Sequence, residues 1–170
     1  MQISTENVAF IVVHGAGSYG HLTAKKYCLS QGRVAQISES DQQSGVAIVH
    51  RDLSKLSDLV IRELAKQGVK CVLHPPRGWA AGTGPTFTGN LSRFTAVNAE
   101  APVVHMTHGD IVACPKPKMF GVLSGDDLML RLAQHVCESQ THQLRSVIFA
   151  MDVEGLLSAP PGRSGVHLFA

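Results

Sequence analysis

The amino-acid sequence predicts an α/β fold built on a mainly parallel open sheet, and three observations carry that prediction. Short apolar runs at residues 8–13, 69–73 and 146–150 have the hydrophobicity expected of buried strands. Val46, Val49, Leu53, Leu56, Val60 and Leu64 recur at steps of three and four, the period of an amphipathic helix lying between the first two runs. The first run ends in a glycine-dense segment, where a parallel strand would turn into its crossover helix.

Taken in order, residues 8–13 form the first expected strand, followed by the glycine turn and a short helix over 22–29 that stops near Gly32. Residues 33–43 are polar and lack a period, which suggests a loop with a weak strand at 34–37. The helix over 46–64 carries Arg51, Lys55, Asp58 and Arg62 mostly between its apolar positions, and Gly68 supplies its stop. A second strand over 69–73 is broken by Pro75 and Pro76. Residues 77–90 contain four glycines and read as a long functional or mobile loop, with Trp79 and Phe87 as either a substrate lid or anchors to the core. A helix is expected over 91–99. His108-Gly109-Asp110 has the composition of a hairpin turn between apolar runs at 103–106 and 111–113. Residues 115–118 form another turn. Ser124 and Asp127 are spaced as a capping box that opens a helix through Val136. With no internal repeat or linker, the 170 residues are expected to form one domain.

Composition narrows the function classes. A net charge of +2 spread over scattered Lys and Arg residues gives no basic face, so a nucleic-acid partner is not expected. No apolar run approaches the roughly 20 residues of a membrane span, and residues 1–7 have neither the basic nor the apolar region of a signal peptide. Cys28, Cys71, Cys114 and Cys137 lie far apart, as isolated thiols of a reducing, cytoplasmic compartment would.

The chemistry is concentrated after the first strand. Gly15, Gly17 and Gly20 match G-x-G-x-x-G between a strand and a helix. Backbone N–H groups in such a turn can approach an anion, and the helix N-terminus favours negative charge. Glu39 lies close to the interval at which a dinucleotide-binding fold places its ribose-binding acid, so the pattern alone also fits a nicotinamide-binding site. His14 and His21 bracket the motif, which a dinucleotide site does not need. His14 fits equally well as a residue satisfying backbone groups at a strand end. Val122 through Leu128 provide a second helix N-terminus carrying Asp126 and Asp127, which also fit simple capping carboxylates worth about 0.3–1 kcal/mol each. Lys25 and Lys26 fit a solvated helix face. His105 and His108, with Asp110, have no further ligand to complete a metal site, and no metal site is expected there. Asp152-Val153-Glu154-Gly155 follows the last expected strand, where a nucleotide-binding loop lies at the carboxyl edge of an open sheet.

Together, His14-Gly15-Ala16-Gly17-Ser18-Tyr19-Gly20-His21, Thr107-His108-Gly109-Asp110, Ser124-Gly125-Asp126-Asp127 and Asp152-Val153-Glu154-Gly155 resemble, in order, the motifs of isopentenyl phosphate kinases within the amino-acid-kinase superfamily. The resemblance implies a three-layer α/β/α domain and transfer of the ATP γ-phosphoryl group, with Mg2+, to isopentenyl phosphate. It implies that His21 and Asp126 are catalytic, His21 on the acceptor phosphate and Asp126 organising a lysine near the transferred group. Gly15, Ala16, Gly20, His21 and Gly125 would bind substrate, and Gly17, Asp152 and Gly155 the nucleotide. A homodimer is also implied. The apolar face of the helix over 46–64 is the expected wall for a five-carbon chain.

The sequence departs from the family pattern at identifiable places. It covers about the middle of the family's length, starting after the Lys-x-Gly-Gly-Ser turn and ending before the C-terminal glycine-rich segment and its lysine. Ala16 stands where many members have Gly, and Met151 where Thr is expected. The expectation is therefore an incomplete kinase domain. Without the donor-side groups it would lose orders of magnitude in rate, since such groups supply most of the transition-state stabilisation. The alternative is an inactive phosphate-binding or interaction module derived from that kinase.

Overall fold

A computed structural model of the chain describes residues 8–96, 103–150, 158–159 and 165–167. Strand β1 (Ile11–His14) leads into helix α1 (Gly17–Lys26), and the long helix α2 (Glu39–Lys66) returns the chain to strand β2 (Cys71–Leu73). Two short strands follow, β3 (Ala80–Ala81) and β4 (Thr88–Gly89). Then come β5 (Val104–His108), β6 (Asp110–Ala113), β7 (Phe120–Leu123) and helix α3 (Gly125–Glu138).

The first sheet is parallel throughout, in the order β1-β5-β2, with Ile11 opposite His105 and His14 opposite His108. Because side chains alternate across a strand, its two faces separate cleanly. Ile11 and Val13 pack on one side against the core that includes Leu128 and Leu132 of α3. His14 points to the other side and reaches Ser57 of α2. The result is the expected α/β/α layering. Beside it lies a four-stranded mixed sheet, β4-β3-β6-β7, in which only β3 and β6 run parallel. A second core joins α1 and α2 to this sheet through Leu29, Val49, Leu53 and Ile111.

Several local expectations are corrected. Helix α1 begins within the glycine motif, so Gly17, Gly20 and His21 are helical. Helix α2 starts at Glu39 and is capped by the Ser38 hydroxyl, which accepts from the Asp41 N–H; neither a loop over 39–43 nor a strand at 34–37 forms. The segment 91–99 contributes only a 3-10 turn at Ser92–Phe94 within its described part. The segment 146–150 is not a strand. Residues 108–110 are not a hairpin turn. Gly109 is where the chain leaves one sheet and enters the other, β5 pairing with β1 and β2 while β6 pairs with β3 and β7. The residues 115–118 do close a hairpin, between β6 and β7. Phe87 is buried, and Trp79 packs edge-on against Phe87 and Phe94 while its indole N–H donates to the His74 carbonyl. These two aromatics are anchors.

Close helix packing explains a second glycine. A Cβ on Gly45 of α2 would lie 2.6 Å from the Tyr27 ring, so this glycine lets the end of α1 rest directly on α2. Among the described residues, no helix is long and apolar enough to cross a membrane, and the four cysteines are free.

Candidate active site

Helix α1 opens at the carboxyl end of β1 without a cap of its own. Ala16 occupies the N-cap position and has no side-chain hydrogen bond to give, and the first turn carries no acid. Gly17 sits at φ +48°, in the left-handed region, where a side chain would be strained. Helices α2 and α3 differ, each being capped by a serine with acids in its first turn. The first-turn N–H groups of α1 thus carry the positive end of a helix dipole with no acid in that turn to meet it.

The N-terminus of α3 is brought to the same place. A Cβ on Gly125 would fall 3.6 Å from the Val13 side chain and 3.9 Å from the His14 carbonyl oxygen. Gly109 lies beneath it, its N–H donating to the His14 carbonyl at 3.3 Å. A Cβ at position 109 would stand 3.2 Å from the Gly125 nitrogen. Close backbone approach, and not turn geometry, is what calls for glycine there.

These elements enclose a cavity of about 600 Å3, within the range of small-molecule sites. Gly15, Ala16, Gly20, His21, Gly125 and Asp126 all line it, so six of the residues singled out from the sequence converge. Gly17 does not line it, and Asp152 and Gly155 lie outside the described residues. Gly20 is buried, and a Cβ there would meet the Ala16 Cβ at 2.8 Å and approach Val49 and Leu53. It contributes a close helix contact as well as cavity wall. Apolar residues of the remaining wall include Val49, Leu53, Ile111, Val122 and Met129. Two of these belong to the helix face expected to meet a hydrocarbon.

The paired acids of α3 divide. Asp127 is structural, its N–H donating to the Ser124 hydroxyl while that hydroxyl donates to its carboxylate at 2.9 Å. Asp126 is exposed and, like His21, has no hydrogen-bond partner among the described residues. A histidine and a carboxylate with unused polar atoms therefore face one cavity. Glu39 accepts from Gln43 at the start of α2 and does not line the cavity, which removes the ribose-binding acid from the dinucleotide alternative.

The partners of several other polar groups, at the cavity and away from it, were not evident from their spacing. Asp110 is buried at the cavity and accepts from the Arg77 backbone N–H and guanidinium, each at 3.2 Å, and from the Ile111 N–H at 2.9 Å. His14 Nε2 meets the Ser57 hydroxyl at 2.9 Å across 43 positions of sequence, and its ring stacks 5.0 Å from that of His108. His105 pairs with His74 Nε2 at 2.9 Å. Lys26 lies over the Tyr27 ring at the helix surface.

Burial holds His108 below the ordinary histidine pKa. His14 and Arg77 push the same way, and the Gly109 carbonyl and Asp110 oppose them. His74 is lowered as well, by burial first and then by His105 and Arg93. In the unfolded chain histidines titrate near pH 6.5, so below that value the unfolded state binds more protons than the folded one. Stability from these two groups is complete above about pH 6.5 and is lost as pH falls toward their depressed folded values. Urea midpoints should therefore decline from pH 7.5 to 5.5, and His108→Gln should make that decline shallower. An unchanged slope in the variant would contradict the assignment.

The parallel sheet, its α/β/α layers and the uncapped helix at a strand end define a layered α/β domain with an open strand–helix turn. The chain matches the amino acid kinase family over residues 2–166 and belongs to that family. Isopentenyl phosphate kinase of Arabidopsis thaliana is 28% identical over 167 residues, which cover 96% of this chain and 46% of that protein. The Thermoplasma acidophilum isopentenyl phosphate kinase is 28% identical over 153 residues, 90% of this chain and 56% of that protein. Among solved structures, an X-ray structure of isopentenyl phosphate kinase superposes with a TM-score of 0.82 at 23% identity, covering 95% of this chain and 64% of that one. A crystal structure of an isopentenyl phosphate kinase substrate complex gives 0.69 at 25% identity, covering 97% and 64%. The chain spans about half the length of these curated relatives.

Proposed function

We propose that the cavity binds isopentenyl phosphate and is the acceptor side of a kinase that transfers the ATP γ-phosphoryl group to it, yielding isopentenyl diphosphate. The observation that carries this reading is the mixed lining of the cavity. It combines an uncapped helix N-terminus and His21 with an apolar wall that includes Val49 and Leu53. Such a space matches a phosphate attached to a short hydrocarbon.

An acceptor phosphate is ionised near neutral pH, so its oxygen attacks the γ-phosphorus without a strong general base. The new phosphorus–oxygen bond forms as the bond to ADP breaks. Catalysis then consists of positioning and charge stabilisation. His21 donates to the acceptor phosphate, and the backbone at Gly15, Ala16, Gly20 and Gly125 surrounds it. Asp126 organises a lysine beside the transferred group, while Gly17, Asp152 and Gly155 serve the nucleotide, as the resemblance implies. ATP is the donor, with Mg2+. Among the described residues no three His, Cys, Asp or Glu side chains converge to hold a metal, so no step is assigned to the ion. A cytoplasmic homodimer is part of the proposal, consistent with the free cysteines and testable by light scattering.

The test is a coupled ADP-release assay with isopentenyl phosphate and ATP, run beside calorimetric titration of each ligand. Turnover supports the kinase reading. Binding of isopentenyl phosphate without turnover supports the inactive-module alternative. Binding of neither would overturn the assignment of the cavity.

A further inference from the structure

The cavity contains a second histidine, His14, and both of its ring nitrogens have close polar neighbours. His14 Nδ1 lies 2.9 Å from the Gly15 carbonyl oxygen. A carbonyl only accepts, so Nδ1 must carry a hydrogen. That geometry assigns the neutral ring the Nδ1–H tautomer, with Nε2 bare. Nε2 faces the Ser57 hydroxyl at 2.9 Å, and the same hydroxyl lies 3.0 Å from the Leu53 carbonyl one helical turn earlier. Ser57 is fully buried, with one proton and two neighbours able to take it.

Two arrangements follow from this geometry. With His14 neutral, the serine donates to Nε2. With His14 as imidazolium, Nε2–H donates to the serine oxygen and the serine turns its proton to the Leu53 carbonyl. Every polar atom is satisfied in both, and no heavy atom has to move. A buried polar atom left unpaired by a change of charge is costly; here donor and acceptor exchange through a hydroxyl rotor.

We infer that His14 is a positioning residue that takes up a proton when an anion enters the cavity, adding a positive charge behind the β1–α1 turn. The inference rests on the anion-site reading above. Groups facing His14 from the packed elements are compatible with it. On β5, His108 Nδ1 donates in the same way to the Gly109 carbonyl, its Nε2 has no partner among the described residues, and burial disfavours the charged ring. Helix α2 contributes the neutral Ser57. His21 of α1 and Asp126 of α3 share the cavity, and Asp110 of β6 is already engaged by Arg77. A negative ligand at the turn therefore favours the charged state of His14, and by linkage a charged His14 favours the ligand.

Long-range proton–nitrogen NMR of the 15N-histidine-labelled chain at pH 7.5 reads the tautomer directly, with His14→Gln identifying the resonance. Sulfate is the probe, because its charge is constant over the range studied. The expected result is a bare Nε2 on His14 in the free protein and loss of that bare-nitrogen signal on saturation with sulfate. Ser57→Ala should reduce the proton uptake measured by calorimetry in buffers of different ionisation heat. An Nε2–H tautomer in the free protein would overturn the inference. So would a His14 ring unchanged while the Gly15 and Gly17 amides shift, and in that case the anion site itself would stand. Amides unmoved by sulfate and by isopentenyl phosphate would overturn both.

Discussion

Replacing His21 with alanine is expected to lower phosphoryl transfer to isopentenyl phosphate by about 10²–10³-fold, the usual cost of one preorganised donor on the reacting group. The ring is exposed, lines the cavity and has no hydrogen-bond partner among the described residues. Its removal breaks no hydrogen bond or ion pair among the described residues, so stability should stay within about 0.5 kcal/mol of the parent. If turnover is too slow to follow, ligand affinity reports the same contact. A hydrogen bond to a charged group is worth about 1.5–3 kcal/mol, so the variant should bind isopentenyl phosphate at least about tenfold more weakly. Asp127→Ala is the control, because Asp127 pairs with the Ser124 hydroxyl in the α3 cap. It should lose about 1 kcal/mol of stability and leave affinity nearly intact. Equal losses of affinity in the two variants would remove His21 from its proposed role.

How much of this was legible in the sequence depends on the range of the interaction. The glycine turn, the Ser124 cap and the apolar stripe of α2 are local patterns, and each placed its element. The start of α2 was hidden because its buried stripe begins with Gln42 and Gly45. Gln42 takes the place of an apolar residue and satisfies buried backbone groups instead, accepting from the Val34 N–H and donating to the Tyr27 and Gly32 carbonyls. Hydrophobic period alone therefore starts the helix several residues late. Strands β3 and β4 have two residues each, too few to show a period. At His108-Gly109-Asp110 the composition of a turn serves a crossing between sheets, and the need for glycine comes from a helix that lies further along the chain. The His14–Ser57 contact follows the same logic: only the packing of α2 on β1 brings the two together.

Arg77 offers the second large effect, this time on stability. Its guanidinium is about a third exposed, whereas the Asp110 carboxylate it meets is wholly buried. Deleting the arginine leaves the carboxylate with two backbone N–H groups and His50, whose Nε2 lies 3.4 Å away. An uncompensated buried charge costs about 3–5 kcal/mol, and the remaining partners place Arg77→Ala near the lower end. For a chain of this length that corresponds to a fall in Tm of about 6–12 °C. Asp110→Asn should cost less, since the freed guanidinium can turn to water while the amide oxygen still accepts from one of the two backbone N–H groups. The order of the two variants is the test; a more damaging Asp110→Asn would mean that the carboxylate matters for something other than this pair. Asp110 also follows Gly109, which supports the first residue of α3. Arg77→Ala should therefore weaken isopentenyl phosphate binding as well, through a displaced Gly125. Affinity and Tm falling together in Arg77→Ala, with affinity falling alone in His21→Ala, would separate the residue that touches the ligand from the pair that holds its site in place.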